Sequence, residues 1–166
     1  MPKASLPLEL GAIEERVRDD MAQSDLVLHI VGQRYGMVPE NSEESIPVIQ
    51  ARVASELDAE NPVQRVVWFP HGMITDDKRQ AEYIQSVRED RELNQKADVI
   101  ADELDVVRNT ILDMLKEEAP PESETAASAS GATALDAKSS VYLIYDATDE
   151  EQVEPLEDYL FDQGLE

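Results

Sequence analysis

The sequence predicts an α/β protein: a parallel sheet with helices packed on its faces. Three observations lead there. Short, nearly unbroken apolar runs occur at 26–31 (LVLHIV), 63–70 (VQRVVWFP) and 141–145 (VYLIY), the pattern of strands covered on both sides. Segments with apolar residues at helical spacing alternate with them. The first two runs end at Gly32 and Pro70, residues that punctuate a chain. Strand–helix–strand–helix alternation argues for parallel strands with crossover helices.

Taken in order, residues 9–23 carry Leu10, Ile13, Val17 and Met21 on one helical face. The strand 26–31 follows, and Gly32 and Gly36 bracket a tight turn, GQRYG. Ser45 stands where an N-cap is expected, and Ile46, Ile49, Val53 and Leu57 keep helical spacing until the NP pair at 61–62. After the strand 63–70, the loop HGMITDDKRQ leads to a helix over about 78–90. A second helix is expected over about 97–118, its buried stripe being Ile100, Leu104, Val107, Ile111 and Leu115. Composition then changes. Residues 119–140 hold one bulky apolar residue, Leu135, in 22 positions, too little to offset the entropy of ordering, so a flexible linker is expected. The strand 141–145 and a helix with Val153, Leu156 and Leu160, closed near Gly164, end the chain.

That gives three strands where an open doubly wound sheet has about five. A helix comes first and a helix comes last, so the sequence reads as a piece of a longer protein, incomplete at both ends. The strand 141–145 offers a neighbour for the apolar strand 26–31, whose unpaired edge would be costly, and parallel pairing of the two is expected within one chain or between two.

Composition excludes several functions. Lys and Arg number 14 against 37 Asp and Glu, a net charge of −23, which repels nucleic acid and anionic membranes and favours solubility and basic partners instead. With no cysteine there is no disulfide, thiolate nucleophile or zinc–thiolate centre. Two histidines and no cysteine argue against a transition-metal site. No apolar run approaches the roughly 20 residues of a membrane span, and no signal peptide is visible, so a cytoplasmic location is expected. No repeat of 20–50 residues indicates a solenoid.

The stretch DLVLHIVGQRYGMVPENSEESIPVIQARVA resembles bacterial TIR-like (Toll/interleukin-1 receptor homology) domains in its strand, its G-x-R-Y-G turn and the S-I that opens the next helix: Gly32, Arg34, Tyr35, Gly36, Ser45 and Ile46. The tail SSVYLIYDATDEEQVEPLEDYLFDQGLE is similar to the first strand and helix of a TIR domain, through Asp146, Asp149, Leu156, Leu160 and Gly164. The resemblance implies a flavodoxin-like sheet. It divides the chain into a TIR-like unit at 1–118 lacking its opening strand and helix, the linker at 119–140, and the start of a second TIR-like unit at 141–166. It also implies a role in bacterial signalling or defence, with protein partners that include other TIR-like domains or further copies of the chain. Some members of the family hydrolyse NAD.

In open α/β sheets ligands sit beyond the carboxyl ends of the strands. Gly32, Arg34, Tyr35 and Ser45 are the ligand-binding candidates there. Each has a plainer role: the glycines make a turn, Arg34 joins an ion pair, Tyr35 anchors a loop. GQRYG is no phosphate-binding fingerprint. His29 lies mid-strand and suits a core histidine; His71 lies at a strand end without a catalytic partner; Trp68 and Phe69 suit the core. In NAD-hydrolysing TIR domains the motif S-I-x-x-x-E places a glutamate on the helix after this strand. The equivalent position here is Gln50, which can hydrogen-bond a hydroxyl but has no carboxylate to stabilise positive charge at a glycosidic carbon. Glu56 follows six residues later on another side of the helix. The expectation is therefore a non-catalytic interaction domain with no cofactor. An NAD-hydrolysing enzyme, with NAD as substrate or ligand, is the alternative, and an unrelated flavodoxin-like binding domain is a third.

Overall fold

Leu26, Val27, Leu28, His29 and Ile30 are all buried, and a strand buried along its whole length needs cover on both faces. The computed structural model describes residues 9–60, 63–117 and 139–165 and supplies that cover. The elements run α1 (Leu10–Met21), β1 (Leu26–Ile30), α2 (Ile46–Glu60), β2 (Gln64–Trp68), α3 (Lys78–Glu89), α4 (Arg91–Lys96), β3 (Asp98–Ile100), α5 (Leu104–Glu117), β4 (Val141–Ile144) and α6 (Glu150–Asp162), the last entered through a 3-10 turn at Ala147–Asp149. The four strands form one parallel sheet in the order β3-β2-β1-β4. This is an α/β, flavodoxin-like arrangement, with β4 holding the place beside β1 that the first strand takes in that fold.

Alternation along the strands sorts the core. Leu26, Leu28 and Ile30 join Val66, Trp68 and Val141 against Val107, Ile111 and Leu115 of α5 and Val153, Leu156 and Leu160 of α6. On the other face, Val27 and Ile144 meet Ile13, Val17 and Met21 of α1 and Ile49, Val53 and Leu57 of α2. Val31, Val67 and Phe69 continue that face against Ile84 and Val87 of α3 and against Ala97. Each fully buried aliphatic side chain is worth about 1.5–3 kcal/mol, so these two layers hold the sheet between them.

One helix boundary differs from the sequence expectation, and one short helix was not expected. The helix expected over 97–118 begins only at Leu104; residues 98–100 form β3, with Ile100 opposite Trp68 and its carbonyl accepting the Phe69 N–H at 2.8 Å. Ile100 and Leu104 satisfy a four-residue helical step, which hid a three-residue strand inside the apparent stripe. The helix expected over about 78–90 is α3, which ends at Glu89; the Asp90 carboxylate then accepts the N–H groups of Glu92 and Leu93 and starts α4, the helix the sequence did not announce. At the other end of the chain the expected stop is present. Gly164, at φ 80°, follows α6 in a Schellman arrangement: its N–H reaches the Phe161 carbonyl, and that of Leu165 reaches the Leu160 carbonyl.

β4 lies parallel to β1 in the register Leu26↔Val141 to His29↔Ile144, as expected for the tail strand. Residues 141–165, which the resemblance reads as the opening of a second unit, share this sheet and its core. The expected linker, 119–140, lies outside the described residues apart from Ser139 and Ser140. Ser140 is tied down: its N–H donates to the Asp25 carboxylate at 2.7 Å and its hydroxyl to the Gln23 carbonyl at 3.0 Å. Among the described residues, no helix is long and apolar enough to cross a membrane.

Candidate functional site

After β1 the chain turns toward α2 on one face of the sheet; after β4 it turns toward α6 on the other. The loops diverge between these two strands, which makes the β1/β4 gap the topological switch point, where flavodoxin-like folds open a crevice. Gly32 and Gly36 line it from one side, Asp146 and Asp149 from the other.

Gly32 is required by close approach. A Cβ there would lie 1.8 Å from Asp149 Oδ2. Its carbonyl accepts the buried Gln80 amide at 2.6 Å, and the next carbonyl, that of Gln33, accepts the Thr75 hydroxyl at 2.6 Å. Gly36 combines φ 90° with a Cβ position only 2.6 Å from Asp146 Oδ2. Asp146 caps the turn after β4 by accepting from the backbone N–H of Thr148 at 3.1 Å and from its hydroxyl.

Asp149 is 4% exposed, and its Oδ2 has no hydrogen-bond partner. Burial raises its pKa above the usual carboxylate value; the Gln33 N–H opposes this, the Asp146 charge adds to it, and Arg34 opposes it in turn. The sequence marks 146–149 as a strand end but gives no sign that these acids pack on Gly32 and Gly36. That pairing depends on β4 lying beside β1.

The other candidates separate. Arg34 is exposed and acts on Asp149 at a distance. The Tyr35 hydroxyl reaches the Glu43 carbonyl at 3.4 Å, and the Arg79 guanidinium lies 4.8 Å over its ring, so Tyr35 anchors the loop. Ser45 is wholly buried. Its carbonyl accepts the Ile49 N–H, as a residue at a helix start does, but its hydroxyl caps nothing.

Gln50 is turned away from the strand ends. It is 6% exposed, packed between α2 and β4, and its side-chain amide donates to the Tyr142 hydroxyl at 2.9 Å. Glu56 is on another side of α2, in an ion network with Arg18 (2.6 Å) and Arg52 (3.1 Å); Arg52 also reaches Glu14 (2.5 Å) and Glu44 (3.0 Å). That network joins α1, the β1 loop and α2; the i+4 partner Glu56 is readable on the helix, whereas Glu14, 38 positions from Arg52, leaves no mark in the sequence.

His29 is a core histidine, 6.0 Å from the Tyr83 ring, with its pKa pushed down to about 3 by burial and by the Arg65 charge. It lines, with Gly32, Arg34, Tyr35, Tyr83 and Asp146, a cavity of about 10 Å³, room for about one water. A wider groove of about 190 Å³ opens at the ends of β2 and β3, where His71, Met73 and Arg88 surround Phe69. Among the described residues, no three His, Asp or Glu side chains converge as metal ligands.

No protein-family model, curated protein or solved structure matches the chain, so the site rests on its own geometry.

Proposed function

We propose that this chain is a TIR-like interaction module of a bacterial signalling or defence protein and that it does not hydrolyse NAD. The observation that carries the second half is Gln50. Glycosidic cleavage develops positive charge that a carboxylate must face. At the position where the family resemblance puts that carboxylate there is an amide, 6% exposed and committed to Tyr142. An interaction role is supported by two apolar side chains held in solvent on neighbouring strand-end loops: Met37, 60% exposed, and Ile74, 78% exposed. These loops are joined by the Thr75–Gln33 hydrogen bond.

Nicotinamide release at high protein concentration tests the enzymatic half; turnover above background overturns it. Sedimentation over a range of concentrations tests the other half, with copies of the chain as the partner. Concentration-dependent association that Ile74→Asp abolishes is the expected result, and a strict monomer removes self-association.

A ligand-binding role at the β1/β4 switch point is the second reading. The buried Asp149 oxygen without a partner favours it, because such a group is retained at a cost unless something uses it. Titration with adenosine or NAD, read by the amide resonances of Gly32 and Gln33, distinguishes it from a purely structural turn.

A further inference from the structure

The two edges of the sheet are built differently. β3 forms one edge; it is three residues long and begins at the exposed Asp98, and a short, charged edge resists pairing with other chains. β4 forms the other edge and carries neither a charge nor a proline: Val141, Tyr142, Leu143 and Ile144. We infer that the β4 edge is a docking site for an extended segment of a partner protein, a strand of β-branched residues flanked by Lys or Arg.

The ladder fixes which groups are offered. The Leu26 N–H donates to the Ser140 carbonyl at 3.3 Å, in the register Leu26↔Val141. Successive residues of a strand turn their backbone groups to alternate sides, so Ser140, Tyr142 and Ile144 face β1. Val141 and Leu143 turn their N–H and C=O groups outward, and among the described residues no strand lies beyond them. The surface beside this edge is acidic and holds an apolar anchor. α5 packs under β2, and its Arg108 holds the near flank of α6 through the Pro155 carbonyl at 2.7 Å and the Tyr159 ring. At 3.6 residues per turn, Glu154, Glu157 and Phe161 share the opposite flank, on the side of the open edge. The Tyr145 hydroxyl donates to Glu157 there at 2.9 Å, and Phe161 is 77% exposed. Residues 146–166 hold nine Asp and Glu and no Lys or Arg. A second copy is a poor occupant, because antiparallel pairing of β4 with itself sets one acidic α6 beside another in chains of net charge −23. A strand with basic flanks adds main-chain bonds at Val141 and Leu143 and meets opposite charge. The edge belongs to β4 and not to the loops that carry Met37 and Ile74, so its occupancy is separate from theirs.

The probe is a blocked peptide, Lys-Lys-Val-Thr-Val-Thr-Lys-Lys, titrated into the full chain at constant ionic strength while backbone amides are followed by NMR. The expected result is a saturable shift and slowed exchange of the Val141 and Leu143 amides, with the interior Leu28 amide unmoved. The same peptide with Glu in place of Lys should bind about tenfold more weakly or worse. Methylating the backbone nitrogens of the central Val and Thr residues keeps the charge, removes the donors, and should weaken binding about tenfold as well. Leu143→Pro removes an outward N–H and no bond to β1, so the chain should fold and lose the peptide response at Val141. Should that variant fail to fold, the methylated peptide tests the same pairing on the parent chain. Equal binding of the methylated and parent peptides would show charge attraction without strand pairing and overturn the site. Equal binding of the Lys and Glu peptides overturns the basic partner. Val141 and Leu143 amides already slow to exchange in the dilute free chain would show the edge covered by the chain itself. A shift on raising protein concentration alone would put a second copy there; either result overturns the assignment to a partner protein.

Discussion

The Gln50 side-chain amide donates to the Tyr142 hydroxyl at 2.9 Å, joining α2 to β4 across 92 positions of sequence. Both residues are largely withdrawn from water, so each supplies what the other would otherwise lack. Tyr142→Phe leaves a buried amide donor without its acceptor and should cost about 1–3 kcal/mol. For a chain of this length that is a fall in Tm of a few degrees per kcal/mol. Gln50→Leu together with Tyr142→Phe removes both partners and should cost less than the two single changes added together. A thermal-melt double-mutant cycle measures the coupling, and strict additivity would show that the bond contributes nothing.

Gly32 and Asp149 form the second long-range pair. A methyl group at position 32 would overlap the Asp149 carboxylate at 1.8 Å, and both sides of the contact are packed. Gly32→Ala should therefore destabilise the protein by about 1–3 kcal/mol or more, through displacement of the turn after β4. Gly32→Ala combined with Asp149→Ala should recover much of that loss, because the clashing carboxylate is gone. Denaturant midpoints of the two variants decide it; no recovery in the double variant would place the strain elsewhere.

His29 and Asp149 give opposite pH dependences. The folded pKa of His29 is depressed to about 3 from an ordinary value near 6.5, so below pH 6.5 the unfolded chain binds a proton that the folded chain refuses. Stability is lost as pH falls through that window, by about 2 kcal/mol at pH 5. Asp149 has a raised folded pKa, so its burial favours folding at low pH and costs stability as pH rises past the ordinary carboxylate value. Between pH 6.5 and 5 the histidine lowers stability as pH falls, because its folded pKa lies below that whole window. Urea unfolding at pH 7 and pH 5 should show the fall in the parent protein and a much flatter profile in His29→Gln.

Most of this architecture was legible in the sequence because burial leaves a local pattern. LVLHIV and VYLIY have the unbroken apolar character of strands covered twice, and α1, α2 and α6 show their stripes at helical spacing. β3 was not legible, since three residues are too few to set a period and Ile100 fits the stripe of α5. The site was legible only in part. Turn residues such as Gly32 and Gly36 announce themselves, but the acids that make glycine necessary there come from more than a hundred positions away. Gln50 was identified by its spacing from Ser45, while its hydroxyl partner depends on which strand lies beside β1.

The last prediction concerns that strand. β4, α6 and the turn that closes it contribute Val141, Val153, Leu156, Leu160 and Leu165 to the core beneath β1, and the Ser140 bonds to Asp25 and Gln23 fix the start of β4. Removing residues 139–166 would expose the β1 edge and one side of α5 at once, and unpaired apolar edges invite association. Truncation at residue 138 should lower Tm sharply and increase amide exchange in Leu26–Ile30. Leu156→Ala, a milder test in the full chain, should cost about 2–5 kcal/mol, because Leu156 is wholly buried. Phe161→Ala, on the same helix but 77% exposed, should cost far less. Equal melting temperatures for the truncated and full chains, with unchanged exchange in β1, would show that the tail adds nothing to the fold. A large loss from Leu156→Ala beside a small one from Phe161→Ala would place the stabilisation on the buried face of α6.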